Sequence, residues 1–319
     1  MESEIKNVII CGIGAIGSIY ADKIHNKTPD NLRILVDKSR KERYLKNPTI
    51  FNGHELKLNY ILPEDNNFKA DLIIIATKFN GLNDALDNMK NFVKDDTIIL
   101  SLLNGVTSEE IIAGKYGWDK VLLAFFIGHS AARNGRHITH DDVNTITFGE
   151  KNPHNVLSEK TLRLKKYFDS IGINYKIPSD IHYEQWQKFM LNVTCNQLSA
   201  ILRMTFGEIQ QNEKFKLFAR NIMEEIVQIA KAEGVKNTEN LIPGTEKLIQ
   251  TMIPEGKTSM LQDIEAGRKT EVDIFSGTVV KLGEKHGIPT PYNKIMLDMI
   301  EILQENQNIK NREQIPALQ

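Results

Sequence analysis

The feature that most constrains the fold is a glycine-rich turn near the start of the chain. It reads Gly12-Ile13-Gly14-Ala15-Ile16-Gly17, directly after the apolar run Val8-Ile9-Ile10-Cys11 and directly before a segment with helical spacing of apolar residues. A further apolar run follows at residues 33–36. A lone glycine pattern also occurs in ordinary turns, but strand, turn, helix and second strand stand here in the order that begins a doubly wound α/β sheet.

The three glycines of this turn have separate tasks. The first permits the tight bend, the second lets the phosphates of a ligand approach the backbone, and the third lets helix and strand pack closely. The N-terminus of the following helix offers its backbone N–H groups to an anion. We therefore expect the pyrophosphate of a dinucleotide to be held by Gly12, Ile13, Gly14, Ala15, Ile16 and Gly17.

The residues after the second strand carry opposite charges. Asp37 closes this strand, and a carboxylate at that position usually accepts hydrogen bonds from the adenosine ribose hydroxyls of NAD. Lys38 and Arg40 follow at once and are suited to hold the 2′-phosphate of NADP instead. The local charges alone leave NAD and NADP as alternatives.

Polar residues also follow two later strands. Lys78 comes after the apolar run at residues 72–76, and Asn104 comes after the run at residues 98–103. Because ligands of open α/β sheets bind outside the carboxyl ends of the strands, we expect both residues to face the same crevice as the glycine turn. A solvated loop is the alternative for each.

The pattern of apolar residues changes near Pro178. Before it, short apolar runs alternate with amphipathic stretches, with later runs at residues 97–102, 121–126, 138–140 and 145–148. After it, long segments have helical spacing, at residues 181–202, 215–232, 244–252, 261–266 and 272–286. The sequence predicts an α/β protein, with a doubly wound Rossmann-type dinucleotide-binding domain at residues 1–178 and an all-helical substrate and catalytic domain at residues 179–319.

Composition and charge narrow the functional class. The 40 Lys and Arg residues nearly balance the 41 Asp and Glu residues, a formal net charge of −1, which argues against nucleic acid or an anionic membrane as the main partner. No apolar run reaches the roughly 18 residues that a membrane-spanning helix needs. The two cysteines, Cys11 and Cys195, fit a reducing compartment better than a disulfide framework. We expect a cytoplasmic protein.

One segment of the helical half carries three polar residues in a row of helical spacing. Lys188, Asn192 and Asn196 stand at i, i+4 and i+8, so one ammonium and two amides share a helix face. Asparagine is a poor residue inside a helix, so two on one face call for an explanation. A solvent-exposed face is the alternative, but the apolar residues on the other sides of the helix favour partial burial.

Ser259 and Glu271 lie in a second polar cluster of the helical half. Ser259 is followed three residues later by Gln262, which is a capping-box pattern, so a helix N-cap is the alternative to ligand binding for this serine. For Glu271 the alternative is a surface carboxylate, because most glutamates are exposed.

Together these motifs resemble the ketopantoate reductase family. The run Ser259-Met260-Leu261-Gln262-Asp263, followed by Thr270-Glu271, is the most specific element, and the glycine turn is the least. The elements fall in the family's order and approximate spacing over nearly the whole chain: the glycine turn, Lys78, Asn104-Gly105, Trp186-Gln187-Lys188, Asn192, Asn196, and residues 257–263 and 269–273. The resemblance implies a helical domain similar to the C-terminal domain of 6-phosphogluconate dehydrogenases.

The resemblance also implies an activity and a cofactor. The reaction is the reduction of 2-dehydropantoate (ketopantoate), a small 2-keto acid, to pantoate on the route to pantothenate and coenzyme A. NADP is the cofactor that the resemblance favours. Asp37 departs from the basic residue that is common in the family at the end of the second strand, so NAD stays open.

The same resemblance implies a role for each candidate residue. Lys188 is the general acid that protonates the developing alkoxide, and Glu271 binds the substrate hydroxyl, orients the lysine and faces the cofactor. Hydride delivery to a ketone leaves negative charge on oxygen, which a lysine can both stabilise and protonate. The remaining residues bind substrate (Asn192, Asn196, Ser259 and Asn104) or face the cofactor (Lys78 and Asn104).

Two other functions remain as alternatives. One is the reduction of a different small keto acid on the same architecture, and the other is dinucleotide binding without catalysis. The sequence leaves the choice between a monomer and a homodimer open. His129, His137 and His140 lie close together but lack the spacing of a metal site, so we predict no metal.

Overall fold

The computed structural model describes residues 4–128, 131–151 and 157–313. His129 lies outside these residues. The chain forms two compact units, Met1–His182 and Tyr183–Gln319. Each unit is described separately below.

The first unit is an α/β unit with two sheets. Its strands are β1 (Val8–Cys11), β2 (Leu32–Leu35), β3 (Ile50–Phe51), β4 (His54–Glu55), β5 (Tyr60–Ile61), β6 (Leu72–Ile75), β7 (Ile98–Ser101), β8 (Val121–Gly128), β9 (Ala132–Asn134), β10 (His137–Thr139), β11 (Asn144–Gly149) and β12 (Tyr175–Lys176). Its helices are α1 (Ala15–Lys27), α2 (Lys38–Lys46), α3 (Leu82–Asn88), α4 (Ser108–Tyr116) and α5 (Glu159–Ile171).

The main sheet has eight strands in the order β12-β11-β8-β7-β6-β1-β2-β5. Strand β1 pairs in parallel with β2 on one side and with β6 on the other. The strands β2 and β5 lie on one side of β1, and the later strands β6, β7 and β8 lie on its other side. This reversal makes the carboxyl end of β1 the topological switch point, where ligands of such sheets bind. The predicted Rossmann-type fold is confirmed.

Alternate residues of the central strands pack into two hydrophobic clusters. Ile10 and Ile74 belong to one cluster, and Ile9 and Ile73 belong to the other. Each of these four side chains is fully buried. Burial of an isoleucine side chain stabilises the fold by about 1.5–3 kcal/mol, and strands apolar on both faces must be covered on both faces. The strand β1 is thereby held rigidly beneath the glycine turn.

The two late strands predicted from sequence belong to different sheets. Strand β11 pairs antiparallel with β8 in the main sheet. Strand β10 belongs to a small second sheet, in the order β4-β3-β10-β9. The sequence does not predict this small sheet, because its strands are only two or three residues long and partly exposed.

The second unit is helical. Its elements are α6 (Ile181–Leu191), which begins just before the unit, a π-helical turn (Asn192–Asn196), α7 (Gln197–Leu202), α8 (Phe206–Gln211), α9 (Glu213–Ala232), α10 (Leu241–Thr251), α11 (Ser259–Glu265), α12 (Ser276–His286) and α13 (Pro291–Glu313). The all-helical character predicted from the sequence is confirmed for the described residues.

Helices α9 and α13 have 20 and 23 residues and pack against each other. The side chain of Asn212 accepts a hydrogen bond from the backbone N–H of Phe215 and caps α9, whose apolar residues then follow at helical spacing. Helix α13 has 23 residues and is absent from the predicted segments, because polar residues fill much of its length. Its first residue, Pro291, is nevertheless a signal for a helix start.

Candidate functional site

The glycine turn has the geometry expected of a phosphate-binding turn. Gly12 has φ = +103°, and a Cβ atom there would lie 2.7 Å from the carbonyl oxygen of Ala76. A Cβ atom on Gly17 would lie 1.9 Å from the carbonyl oxygen of Gly12. Neither position tolerates a side chain, because both would strike backbone. These two glycines are required by the turn itself.

Gly14 is different, because the protein does not require a glycine there. The nearest atom to a Cβ on Gly14 is the carbonyl oxygen of Ala76, at 4.0 Å. Gly14 is the N-cap of α1, whose first turn begins with Ala15 and Ile16. No side chain at the N-cap accepts a hydrogen bond from the N–H groups of this turn. Open space above a helix N-terminus suits a pyrophosphate. Ile13 packs its side chain into the core, so its contribution to a ligand is its backbone.

The candidate residues of the first unit follow strand ends that lie in one row. Cys11 pairs with Leu35 of β2 and with Ile75 of β6, and Ile75 pairs with Ser101 of β7. Gly12, Asp37, Lys78 and Asn104 each come one to three residues after this row. Lys78 is exposed and precedes a 3₁₀ turn at Phe79–Gly81, whereas Asn104 is half-buried. All four residues therefore lie at the carboxyl ends of the parallel strands.

Asp37 differs from its predicted place at the end of the second strand. Strand β2 ends at Leu35, and Asp37 is the N-cap of α2. Its Oδ1 accepts hydrogen bonds from the Arg40 backbone N–H and the Ser39 hydroxyl, both at 2.7 Å. The Arg40 side chain contributes its Nε atom, 3.4 Å from Oδ2.

The environment of Asp37 keeps its carboxylate charged. The hydrogen bond from the Arg40 backbone, followed by that from Ser39, lowers the pKa of Asp37 below its usual value. Lys38 and Arg40 are exposed beside it. The end of β2 is therefore followed by one hydrogen-bonded negative charge and two exposed positive charges.

Lys188, Asn192 and Asn196 lie along one helical segment of the second unit. Lys188 is in the last turn of α6, and the two asparagines begin and end the π turn. Lys188 and Asn192 are half-buried, and Asn196 is only 6% exposed. The alternative interpretation, a solvent-exposed helix face, is therefore wrong for Asn196.

The predicted i, i+4, i+8 alignment needs one correction. It assumes 3.6 residues per turn throughout, but the π turn has i→i+5 hydrogen bonds and so more residues per turn. The spacing from Lys188 to Asn192 is that of the α-helix α6, whereas Asn196, at the far end of the π turn, is rotated from the position that a regular α-helix would give it. Such turns occur frequently at functional sites.

Ser259 is not the N-cap of its helix. Thr258 is the N-cap of α11, and its Oγ1 accepts a hydrogen bond from the backbone N–H of Leu261 at 3.2 Å. Ser259 is the first helical residue and is exposed. The capping alternative for Ser259 is therefore wrong, and its hydroxyl is accessible to a ligand.

The elements that carry Ser259 and Glu271 pack within the same unit as the π turn. Helix α11 packs against both α7 and the π turn. Glu271 is half-buried and precedes a 3₁₀ turn at Val272–Ile274, which packs against α12 and α13. Thr270 beside it is buried, and its backbone N–H donates to Gln304 Oε1 of α13 at 2.8 Å. The backbone beside Glu271 is thus held by a hydrogen bond to α13.

Buried polar residues that the sequence did not point to hold these elements together. The Ser199 and Thr258 hydroxyls lie 2.6 Å apart and link α7 to the start of α11. Gln197 is fully buried and hydrogen-bonds within the π turn and to α12. A signal was present, since Thr194, Asn196, Gln197 and Ser199 are polar residues within the mostly apolar stretch at residues 189–202.

Among the described residues, no three or more His, Cys, Asp or Glu side chains converge in a way that could bind a metal ion. None of the helices within those ranges combines the length and the apolar composition needed to cross a lipid bilayer.

Comparison with known proteins identifies the family. The sequence profile described as "Ketopantoate reductase PanE/ApbA" matches residues 8–153, and the profile described as "Ketopantoate reductase PanE/ApbA C terminal" matches residues 180–304. The 2-dehydropantoate 2-reductase of Aquifex aeolicus (strain VF5) is 27% identical over 312 residues, covering 93% of this chain and 96% of the relative.

Solved structures of similar proteins cover nearly the whole chain. The ternary structure of D-mandelate dehydrogenase with NADH and anilino(oxo)acetate has a TM-score of 0.80 at 25% identity, over 95% of this chain and 99% of that one. A PanE/ApbA family ketopantoate reductase from Ralstonia eutropha JMP134 has a TM-score of 0.79 at 23% identity, over the same 95% and 99%. With both of its units matched by the family's profiles, the chain belongs to the ketopantoate reductase family of oxidoreductases.

Proposed function

We propose that the chain reduces 2-dehydropantoate to pantoate, with a reduced nicotinamide cofactor and with Lys188 as the general acid. The observation that carries this proposal is the grouping of Lys188, Asn192 and Asn196 along one helical segment of a ketopantoate reductase family member. Helix α11, which begins at Ser259, packs against the same segment. One ammonium, two amides and a hydroxyl are suited to bind the carboxylate, keto and hydroxyl groups of this substrate.

In this proposal Lys188 has two tasks. Its ammonium stabilises the negative charge that develops on the carbonyl oxygen, and it then donates a proton to that oxygen. The side chain is half-buried, and a lower local dielectric strengthens its attraction to the oxyanion. The Glu271 carboxylate accepts a hydrogen bond from the substrate hydroxyl and orients the ammonium by its charge.

The amides of Asn192 and Asn196 and the hydroxyl of Ser259 bind the substrate in this proposal. An amide donates hydrogen bonds to a carboxylate and accepts one from a hydroxyl, without adding a charge that would compete with Lys188. The buried position of Asn196 supports a fixed orientation of its amide.

The glycine turn and the neighbouring strand ends hold the cofactor in this proposal. When bound, the reduced nicotinamide supplies the hydride. The open space at Gly14 supports backbone binding of the pyrophosphate, and Lys78 and Asn104 extend the site along the strand ends.

The preference between NADH and NADPH depends on the end of β2. The charged carboxylate of Asp37 supports NADH, because it accepts hydrogen bonds from ribose hydroxyls and repels a 2′-phosphate. Lys38 and Arg40 support NADPH, in line with the family resemblance. Initial rates with the two cofactors at saturating keto acid distinguish these alternatives.

The decisive test of the general acid is Lys188→Ala. Loss of a general acid typically lowers turnover about 10²–10⁴-fold, so kcat should fall by that factor. Cofactor affinity, measured by NAD(P)H fluorescence, should be unaffected. Lys281→Ala, which removes an exposed lysine of the same unit, is the control. Turnover of Lys188→Ala near the wild-type rate would refute the role of Lys188.

Reduction of another small 2-keto acid is the second candidate function. It is favoured by the similarity to a D-mandelate dehydrogenase solved with NADH and anilino(oxo)acetate. A panel of keto acids that includes ketopantoate and an aromatic 2-keto acid decides between them by kcat/KM. A higher kcat/KM for another acid rejects ketopantoate as the substrate. NAD(P)H binding without oxidation in the presence of any keto acid would indicate a non-catalytic protein.

A further inference from the structure

We propose that Gln197 is a positioning residue that holds the π turn in place and so sets the orientation of Asn192 and Asn196 toward the substrate. This inference rests on the proposed function, because it assigns the two asparagines to substrate binding. Gln197 is fully buried and acts through the backbone of its own helix.

The first contact of Gln197 is within the π turn. Its backbone N–H donates to the carbonyl oxygen of Thr194, three residues back. The carbonyl oxygen of Val193, four residues back, accepts a hydrogen bond from the Gln197 side-chain Nε2 at 2.5 Å. In a regular α-helix that carbonyl would receive the backbone N–H of residue 197. The side-chain amide therefore takes the place of a backbone donor that the π turn displaces.

The second contact of Gln197 reaches across to another helix. Its Oε1 accepts a hydrogen bond from the backbone N–H of Ser276 at 3.4 Å. Ser276 begins α12, five residues after Glu271. A single side chain thus connects the turn that bears the two asparagines to the segment that follows the candidate carboxylate.

The network continues through the interior of the helical unit. The Ser276 hydroxyl donates to Asn293 Oδ1 at 3.2 Å, and Asn293 Nδ2 donates to Glu225 Oε2 at 2.7 Å. Gln197, Ser276 and Asn293 are fully buried, and Glu225 is 8% exposed. Buried polar groups in a satisfied network are held in one arrangement, since each broken contact leaves a group without its partner.

The consequence for the site follows from helix geometry. A π turn accommodates one residue more per hydrogen-bonded ring than an α-helix, so its loss shifts the register by one residue. One residue corresponds to a rotation of about 100° around an α-helix with 3.6 residues per turn. Without the π turn, Asn196 would turn away from its present direction relative to Lys188 and Asn192. Misplacement of substrate-binding groups by about 1 Å can lower activity about 10²-fold.

The primary experiment compares Gln197→Met with Gln210→Met. Gln210 is the control, because its side-chain amide likewise makes two hydrogen bonds to backbone, donating to the carbonyl oxygens of Ile249 and Met252 at 2.8 Å, but away from the π turn. Both variants should lose stability. Only Gln197→Met should lower kcat/KM for ketopantoate by about tenfold or more, with the KM for NAD(P)H unchanged. Equal kcat/KM values for the two variants would overturn the proposal.

A second variant keeps the proposal falsifiable if Gln197→Met does not fold. In Gln197→Glu, an uncharged carboxyl group donates to the Val193 carbonyl, whereas an ionised one cannot. The ratio of kcat/KM for this variant to that of the wild type should therefore rise as the pH falls from 8.5 to 6, because burial raises the pKa of a carboxyl group. A ratio independent of pH would contradict the proposed role.

Asn192→Ala and Asn196→Ala separate this inference from the function on which it rests. If both variants reduce ketopantoate at the wild-type kcat/KM, the proposed substrate site is wrong and the inference falls with it. If both lose activity while Gln197→Met matches Gln210→Met, the substrate site stands and the positioning role alone is wrong.

Discussion

The two units of this molecule build their candidate sites from different materials. In the first unit, backbone forms the candidate phosphate site: a turn without side chains at Gly12, Gly14 and Gly17, directly after an apolar strand. In the second unit, side chains form it, and they are fixed by buried polar contacts such as those of Gln197 and Ser199.

This difference has a physical reason in each case. A phosphate can be bound by backbone N–H groups at a helix N-terminus, which are present whatever the side chains are. A keto acid must be distinguished from similar acids, and this requires side-chain donors and acceptors in fixed directions. The two units should therefore respond differently to substitution: the first to added atoms, the second to removed hydrogen bonds.

The largest expected effect is that of an added methyl group in the glycine turn. Gly17→Ala places a Cβ 1.9 Å from the Gly12 carbonyl oxygen, so the turn must open, at a cost above about 3 kcal/mol in the free energy of unfolding. Gly14→Ala, with 4.0 Å of space, should fold normally and weaken NAD(P)H binding. Urea unfolding and fluorescence titration measure the two effects. A stable Gly17→Ala protein would show that backbone packing does not restrict this turn.

The next effect tests the hydrogen bonds of the second unit. Thr258→Val removes both the N-cap of α11 and the 2.6 Å contact with the Ser199 hydroxyl, so the free energy of unfolding should fall by about 2–3 kcal/mol. Thr205→Val removes only the capping box of α8 and should cost about 1 kcal/mol. Because Ser259 follows Thr258, the KM for ketopantoate should rise in the first variant alone. Equal losses in both would mean that the buried contact adds nothing.

The same contrast explains how much the sequence could predict. The glycine turn is local, since its residues are consecutive and each glycine has a steric reason, so turn, strand and helix follow from a short segment. The sequence predicts a ligand-binding role for Asp37, and the structure shows that it also caps α2, which depends on where β2 ends and α2 begins. The contact between Ser199 and Thr258 joins residues 59 positions apart, and no local pattern predicts it.

The π turn could not be predicted for a related reason. The spacing of Lys188, Asn192 and Asn196 fits a regular α-helix, and it is the side chain of Gln197 and its partner in α12 that accompany the departure from it. A prediction from periodicity assumes a constant number of residues per turn. In this segment the π turn, which is accompanied by the contact between Gln197 and Ser276, departs from that number.

An ion pair of the first unit, between the buried Asp71 at the amino end of β6 and the half-buried Lys94, adds a charged contact to this comparison. Asp71 Oδ2 accepts hydrogen bonds from the backbone N–H groups of Lys6 and Asn7, and Oδ1 lies 2.6 Å from Lys94 Nζ. Burial alone would raise the pKa of Asp71, but the contacts with Lys94 and these N–H groups outweigh it and lower the pKa.

A lowered pKa gives this carboxylate a defined effect on stability. Its contribution is complete above the unfolded-state pKa of about 3.9 and is lost as the pH falls through the lower folded-state value. Asp71→Asn should therefore be less stable than the wild type by about 2 kcal/mol at pH 7, with a smaller difference below about pH 4. Urea unfolding at pH 7, 5 and 3.5 measures this. A difference that stays constant down to pH 3.5 would exclude ionisation as the cause.

The smallest effect concerns the one place where a side chain of the first unit should select the ligand. Asp37→Ser removes the negative charge but keeps a residue that caps helices well, so α2 should stay formed. The ratio of kcat/KM for NADPH to that for NADH should rise about tenfold, or 1.4 kcal/mol, because the charge no longer repels a 2′-phosphate. Arg40→Ala, which removes the cation 3.4 Å from Asp37, should lower the same ratio. If the ratio changes in neither variant, the adenosine end of the cofactor does not contact the N-terminus of α2. Selectivity between NADH and NADPH must then come from another part of the first unit.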